Sequence, residues 1–492
     1  MIYFHKHIIL ALYLLQNYPI EQLLNISNRT GVIKKRQKQR WDQGWKMGTG
    51  YINRKIDGDL LSWAKEKDRK PLLLRGARQI GKSSSVRRLA EQFEYFLEVN
   101  FELDLQARTL FAKNDLSPEK LCQELSVIYG TPIIPGKTLL FLDEIQGSLP
   151  AISSLRFFYE KYGKLHVVAA GSLLEFALQE LSSFGVGRVR SMFMYPMSFF
   201  EFLNACNHNL LVQAIQNANC NNPLSAPVHE KAVEYLRKFL LLGGMPEVVS
   251  AYVNKNDLLE CQRILDDLII SLRSDFAKYK NKIRSLQISA VFDSVAAQMG
   301  KKFVFKNVSE NYSHRHLKEG LELLKMAGLA IPVTHCAANG LPLGAEMDIK
   351  KQKILLLDTG IFQRLQGLSP ADLLISDNFS LINRGNIAEL FVGLELLKAG
   401  SCYEQKNLYY WHRESKSSNA EVDFVAQTGQ NIIPIEVKSG TKGTMQSMRV
   451  FLEEKRAPFG IRASLENFGE LRNIKIIPVY AAGNLFNMDF PT

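Results

Sequence analysis

The chain has 492 residues, 46% of them hydrophobic and 22% charged, with six cysteines. That composition suits about three domains and excludes a disordered chain, a collagen-like fibre and a disulfide-stapled miniprotein. The formal net charge is +12, but residues 1–46 alone hold eight bases and two acids, so half the excess sits in one short segment and by itself says little about nucleic acid.

Residues 1–46 join a short apolar run, Ile8–Leu15, to the basic run Lys34–Arg40. A nucleic-acid arm is one reading. The preferred reading is a basic leader, solvated or not native, with the native chain starting at Met47. No stretch reaches the roughly 18 apolar residues that cross a bilayer, so no membrane partner is expected. The cysteines are scattered, the nearest two 14 residues apart, with no CxxC pair and no zinc spacing. A reduced, cytoplasmic setting fits that pattern.

Between residues 47 and 205, short apolar runs alternate with amphipathic stretches. The runs are Pro71–Leu74, Tyr95–Phe101, Thr138–Leu142 and His166–Ala170. Parallel strands buried on both faces have this appearance, so the expected class is α/β with a doubly wound parallel sheet. Gly76-Ala77-Arg78-Gln79-Ile80-Gly81-Lys82-Ser83 satisfies GxxxxGK[ST] in full, between the strand Leu72–Leu74 and a helix predicted over Ser84–Phe93. Glycines let successive backbone amides turn inward around an anion, and a helix start adds partial positive charge. Lys82 is assigned to the β- and γ-phosphates and the Ser83 hydroxyl to Mg²⁺, with Ser84 beside them.

Sixty-one residues after Lys82, the strand Thr138–Leu142 ends in Asp143-Glu144. Buried strands expel charge, so acids at a carboxyl end face a cation or a ligand. Asp143 is assigned to Mg²⁺ and Glu144 to polarising the attacking water. Ser172 is either a γ-phosphate sensor or the N-cap of a helix over Leu173–Leu181. Arg188 and Arg190 either supply a transition-state arginine or form a solvated basic loop. ATP and Mg²⁺ are the expected cofactors.

Residues 206–280 read as a helical lid or linker. Residues 281–345 read helix, strand, helix, strand, over Ile288–Met299, Lys302–Val308, His314–Met326 and Ala330–His335, which suggests a winged helix. Residues 346–492 form a second α/β unit. It has a helix over Ile387–Lys398 and strands at Leu408–His412, Glu421–Ala426, Ile432–Lys438 and Ile474–Tyr480.

The runs LLLRGARQIGKSSSVRRLAEQFEYFLEVNFE, LLFLDEIQ, AAGSLLE, MYPMSFFEFL and LLGGMPEVV resemble the AAA-type ATPase domain of prokaryotic proteins. In that family a C-terminal domain of uncharacterised function follows. The resemblance spans about residues 47–492 and implies ATP binding; the basic leader has no counterpart in it. Serine at Ser83–Ser85, where Thr is common, leaves the metal-binding hydroxyl intact.

Near the carboxyl end, Glu421-Val422-Asp423 is followed by a turn at Gln427–Asn431 and by Ile435-Glu436-Val437-Lys438. Residues of equal parity share a strand face, so Glu436 and Lys438 point the same way beside Asp423. Two carboxylates and a lysine suit metal-dependent phosphodiester hydrolysis, with Asp423 and Glu436 on Mg²⁺ and Lys438 on the water or the developing charge. The pattern resembles the PD-(D/E)xK nuclease superfamily, which implies a restriction-endonuclease-like fold and a completing helical acid at Glu389. The rival reading is an edge strand with solvated or paired charges and no catalysis. Tyr409-Tyr410-Trp411 beside Arg413 offer base stacking, or fill a strand core.

The leading expectation is therefore an ATP-hydrolysing P-loop protein whose nuclease-like module acts on, or binds, DNA or RNA. The alternative is an ATP-dependent switch whose catalytically inactive module docks a protein or a duplex. A metabolic P-loop kinase is disfavoured, because the acidic strand end comes without a recognisable acceptor pocket.

Overall fold

The computed structural model describes residues 51–113, 117–181, 185, 187–279, 284–368, 385–413, 420–438 and 445–488; the leader expected over 1–46 lies outside them. Five strands form the first sheet: β1 (Leu72–Arg75), β2 (Tyr95–Asn100), β3 (Thr138–Asp143), β4 (His166–Ala170) and β5 (Arg190–Phe193). All pair in parallel, in the order β2-β3-β4-β1-β5. β3 and β4 are buried along their whole length, as their continuous apolar runs require. β5 buries only Met192, which is why its sequence gives no strand signal.

Strand order decides where chemistry can occur. β4 lies between β1 and β3, pairing Leu74 with Ala170 and Leu142 with Ala169. The carboxyl ends of these three strands therefore open on one crevice, where a doubly wound sheet binds ligands. Helix α1 (Lys55–Lys65) precedes the sheet and α2 (Lys82–Ala90) follows β1. α2 starts two residues before the predicted position, directly after Gly81, whose φ of 95° ends the loop.

The middle of the chain is helical, as read: α3 (Ala226–Leu242), α4 (Leu258–Asp275), α5 (Ser285–Ala297) and α6 (His314–Met326) are its principal members. The strand expected over Lys302–Val308 does not form. A single bridge joins Lys302 to Lys353, and Phe305–Asn307 make a 3-10 turn. The alternation there comes from Phe303, Phe305 and Val308 packing on the core while Lys302 and Lys306 face solvent.

After α6 come β6 (Ala330–Cys336) and β7 (Met347–Leu356), an antiparallel hairpin. Helix α7 (Thr359–Leu365) and helix α8 (Gly385–Lys398) separate it from β8 (Leu408–His412), β9 (Glu421–Thr428) and β10 (Asn431–Val437). β11 (Gly460–Ser464), β12 (Gly469–Leu471) and β13 (Ile474–Pro478) complete a mixed eight-stranded sheet, in the order β12-β13-β11-β10-β9-β8-β6-β7. The expected boundary at 345/346 falls inside the β6–β7 hairpin. The correction has a simple cause: β6 pairs in parallel with β8, from Val333–Leu408 to His335–Tyr410, so the two expected units share one sheet.

The largest apolar core spans both sheets and the helices between them, while a second covers the other face of the first sheet. Phe199, Phe239 of α3 and Phe391 of α8 meet with ring centroids 5.7, 5.9 and 6.0 Å apart, edge to face. No helix among the described residues is long and apolar enough to cross a membrane.

Candidate functional site

The loop after β1 is shaped by residues that tolerate unusual backbone. Gly76 has φ 141°, and a Cβ there would stand 2.2 Å from the Met194 carbonyl oxygen, so no side chain fits. Gln79 is left-handed at φ 62°. The loop is braced from behind by the buried Arg54, which donates to the carbonyls of Ile80 and Tyr195, each at 2.8 Å, and to Glu201 at 2.9 Å. Burial works to raise the Glu201 carboxyl, but the Arg54 charge and two backbone amides outweigh it and hold it below its ordinary value. Arg78, in mid-loop, forms an ion pair with the buried Asp275 at the end of α4. Lys278 reaches the same carboxylate at 3.3 Å and Glu102 at 3.5 Å.

Lys82 folds back across the loop and donates to the carbonyls of Gly76 at 2.9 Å and Ala77 at 2.6 Å. Burial lowers its amine to about 8, against the pull of Glu144 and Asp143. The Ser83 hydroxyl lies 3.0 Å from Asp143 Oδ2 and 3.2 Å from Oδ1, so the two side chains assigned to one cation come together. Burial, with repulsion from Glu144, pushes Asp143 up to about 6. Ser84 is exposed and turned from this contact.

Glu144 has left-handed backbone, φ 47°, and its Oε2 accepts from Gln146 Nε2 at 2.6 Å and from the Ser172 hydroxyl at 3.2 Å. Ser172 is thus not the helix cap that was one of its two readings. The next helix begins at Leu174 with Leu173 before it, and the serine faces Glu144 instead. Arg188 and Arg190 are not brought to this crevice. The amide of Arg190 bonds the Pro71 carbonyl, at the amino ends of β1 and β5, while Arg188 pairs with Glu160 and the Arg190 side chain with Glu66. An arginine from this loop has no path to the phosphate end of the same sheet. Sequence reasoning missed Arg54 and Asp275, which act from distant segments and carry no motif, and Gln146, which stands two residues past Glu144.

The turn between α6 and β6 also reaches the loop. A Cβ on Gly328, at φ 72°, would lie 3.4 Å from both Ala77 N and Ala77 Cβ. The middle unit therefore touches the second residue of the glycine-rich loop.

The C-terminal constellation is assembled, with one addition. Asp423 of β9 accepts from the Val437 amide at 2.8 Å, and Lys438 pairs with Glu436 at 2.5 Å. Glu389 of α8 is buried beside them. Between these acids stands Lys353 of β7, only 1% exposed. Its Nζ is 2.6 Å from Glu421, 3.0 Å from Glu389 and 3.5 Å from Asp423. Glu436 Oε2 is buried with no hydrogen-bond partner. Burial and the nearby Asp423 push the Glu389 carboxyl up, although Lys353 pulls the other way.

These residues do not fit a bound Mg²⁺. The ammonium already takes three of the acids, and among the described residues no group of three or more His, Cys, Asp or Glu side chains is placed to hold a metal ion. A lysine on β7 gave no signal, because a strand reading Lys-Lys-Gln-Lys looks solvated. Tyr410 and Trp411 are core residues, 2% and 3% exposed, and are closed to base stacking.

Residues 68–203 match the AAA domain family. Residues 233–372 and 384–482 match two domains of unknown function, DUF8612 and DUF4143. No curated protein matches the chain. Among solved structures, a Walker-type ATPase of Pyrococcus abyssi is similar over 64% of this chain and 96% of its own, at 15% identity and a TM-score of 0.42. The Aeropyrum pernix ORC1 protein in complex with DNA is similar over 68% of this chain and 98% of its own, at 13% identity and a TM-score of 0.31. The AAA match covers the β1 loop and the β3 acids and supports ATP binding by this segment.

Proposed function

We propose that the protein hydrolyses ATP in the crevice at the carboxyl ends of β1, β3 and β4, and that this turnover governs a nucleic-acid-binding C-terminal half. The observation that carries the first part is the Ser83–Asp143 contact, with Lys82 across the same loop. In this reading the amides of Gly76, Ala77, Arg78, Gln79, Ile80 and Gly81 surround the phosphates, with Ser84 at the edge of the set. Lys82 leaves the loop carbonyls for the β- and γ-phosphates. Ser83 and Asp143 hold Mg²⁺, which when bound neutralises phosphate charge. Glu144 orients and polarises the attacking water once Ser172 turns from it toward the γ-phosphate.

Lys82→Ala should lower ATP turnover by at least about a hundredfold, through lost charge stabilisation. Glu144→Gln should keep nucleotide binding and lose turnover to a similar degree. Steady-state phosphate release with a parallel binding titration checks both; undiminished release from Lys82→Ala would refute the site.

The ATPase domain is taken to run over 47–205 and the helical lid over 206–280. The winged-helix-like unit starts at 281 and must extend through β7, and a nuclease-like module follows it. α6 favours nucleic acid as the partner: it exposes His314, Arg315 and Lys318 on one side, and Lys301, Lys302 and Lys306 are exposed on the segment before it. The reading in which the module docks a duplex without cutting it is favoured over nuclease action by Lys353, which occupies the acids that a cutting Mg²⁺ would need.

A further inference from the structure

Arg78 stands in the middle of the glycine-rich loop, four residues before Lys82. Among the described residues only its Nη1 finds an acceptor, donating to both oxygens of the Asp275 carboxylate. Nε and Nη2 remain for a second anion. Arg78 is partly exposed whereas Asp275 is buried, so the arginine is the partner able to move. Its departure would not strand a bare charge. Lys278 lies 3.3 Å from the same carboxylate and keeps a cation beside the buried acid. The loop also has another brace, Arg54 on the Ile80 carbonyl at 2.8 Å. Burial works against the Arg78 charge, but Asp275, Glu144 and Glu102 together raise the guanidinium above its ordinary value. The Lys82 amine, lowered chiefly by burial, is lowered further by the Arg78 charge. One guanidinium therefore acts on Lys82 and on Glu144, the groups assigned to the γ-phosphate and to the attacking water. Arg188 and Arg190 lie at the opposite end of the sheet and leave that place open to it.

We propose that Arg78 is the γ-phosphate arginine of the ATP site, and that Asp275 competes with ATP for it. This rests on the reading above, in which the crevice binds and hydrolyses ATP. The γ-phosphate, with more negative charge than one carboxylate and a matching set of oxygens, draws the guanidinium off Asp275. Asp275 is then left to Lys278. ADP lacks that phosphate and leaves the Arg78–Asp275 pair in place. The buried acid thus tunes how strongly the site prefers ATP over ADP.

The test titrates the full chain, with Mg²⁺, against ADP and against the ATP analogue whose β- and γ-phosphates are joined by an imido group. Asp275→Asn should raise affinity for the analogue about fivefold and leave ADP within about twofold. Arg78→Met should lower analogue affinity about tenfold, and adding Asp275→Asn should then change nothing. If the pair only anchors the loop, Asp275→Asn weakens both ligands alike, and that result would overturn the proposal. A gain that persists without Arg78 would overturn it too, since it would come from deleting a negative charge at a distance. Lys278→Met, at a half-exposed side chain, covers the case of an Asp275→Asn chain that does not fold. It should lower analogue affinity about threefold while ADP affinity holds, because Asp275 would then grip Arg78 more firmly. Equal losses for both ligands would count against the proposal. Nucleotide uptake that Lys82→Ala removes keeps the ATP-site reading standing whatever happens at Asp275. A wild type that binds neither ligand would sink both.

Discussion

Lys82 is held by two loop carbonyls in a site that burial makes unfavourable for charge, and its amine is lowered to about 8. At pH 7 it is an ammonium and can receive phosphate. As the pH rises through 8 it discharges, so nucleotide binding must take up a proton and weakens. Between pH 7 and 9 the association constant for ATP should fall about tenfold, as each unit above the amine's own value costs a decade. Calorimetric titration at the two pH values checks this; Lys82→Arg, which keeps its charge, should flatten the profile. A flat profile in the native protein would mean that Lys82 stays charged when free. Glu144 is restrained in another way, by hydrogen bonds from Gln146 and Ser172 to one carboxylate oxygen.

At the scale of elements, α6 decides whether the middle unit contacts nucleic acid. If Arg315 and Lys318 lie along a phosphate backbone, replacing both with Ala should weaken duplex binding about equally for all sequences. The salt dependence of binding should then drop by about two in log–log slope. Fluorescence anisotropy at several salt concentrations measures it, and an unchanged slope would place the duplex elsewhere. The elements legible in the sequence were those with strong local patterns: the buried runs β3 and β4, the P-loop, and the β9–β10 hairpin. β5 was missed because its short, polar sequence buries only Met192, and β7 because its first six residues read as a solvent-facing charged run. Lys353 is the sharpest case. Its charge reads as solvent-facing, and only the acids of α8 and β9 make its burial possible. Arg188 failed in the opposite way, since a glycine-flanked arginine suggests phosphate but strand direction sends it to the wrong end of the sheet.

For the whole molecule, the aromatic contact of Phe199, Phe239 and Phe391 is a joint between segments nearly 200 residues apart in sequence. Phe391→Ala should cost about 3–5 kcal/mol by leaving a cavity that rigid neighbours cannot fill. Because the largest core joins residues of both parts, calorimetry should show one transition moved to lower temperature. Two separated transitions would mean that the ATPase and C-terminal parts unfold independently.

The seat of Gly328 against Ala77 bears on how such a protein keeps time. A turn wedged beside a phosphate loop cannot shift for one occupant without altering the terms offered to the other. Whatever factor ATP lends to affinity at α6, an occupant of α6 must return to ATP, in the same measure. The turn would then work in both directions, and affinity for nucleotide would rise or fall with the cargo carried at the opposite end of one helix.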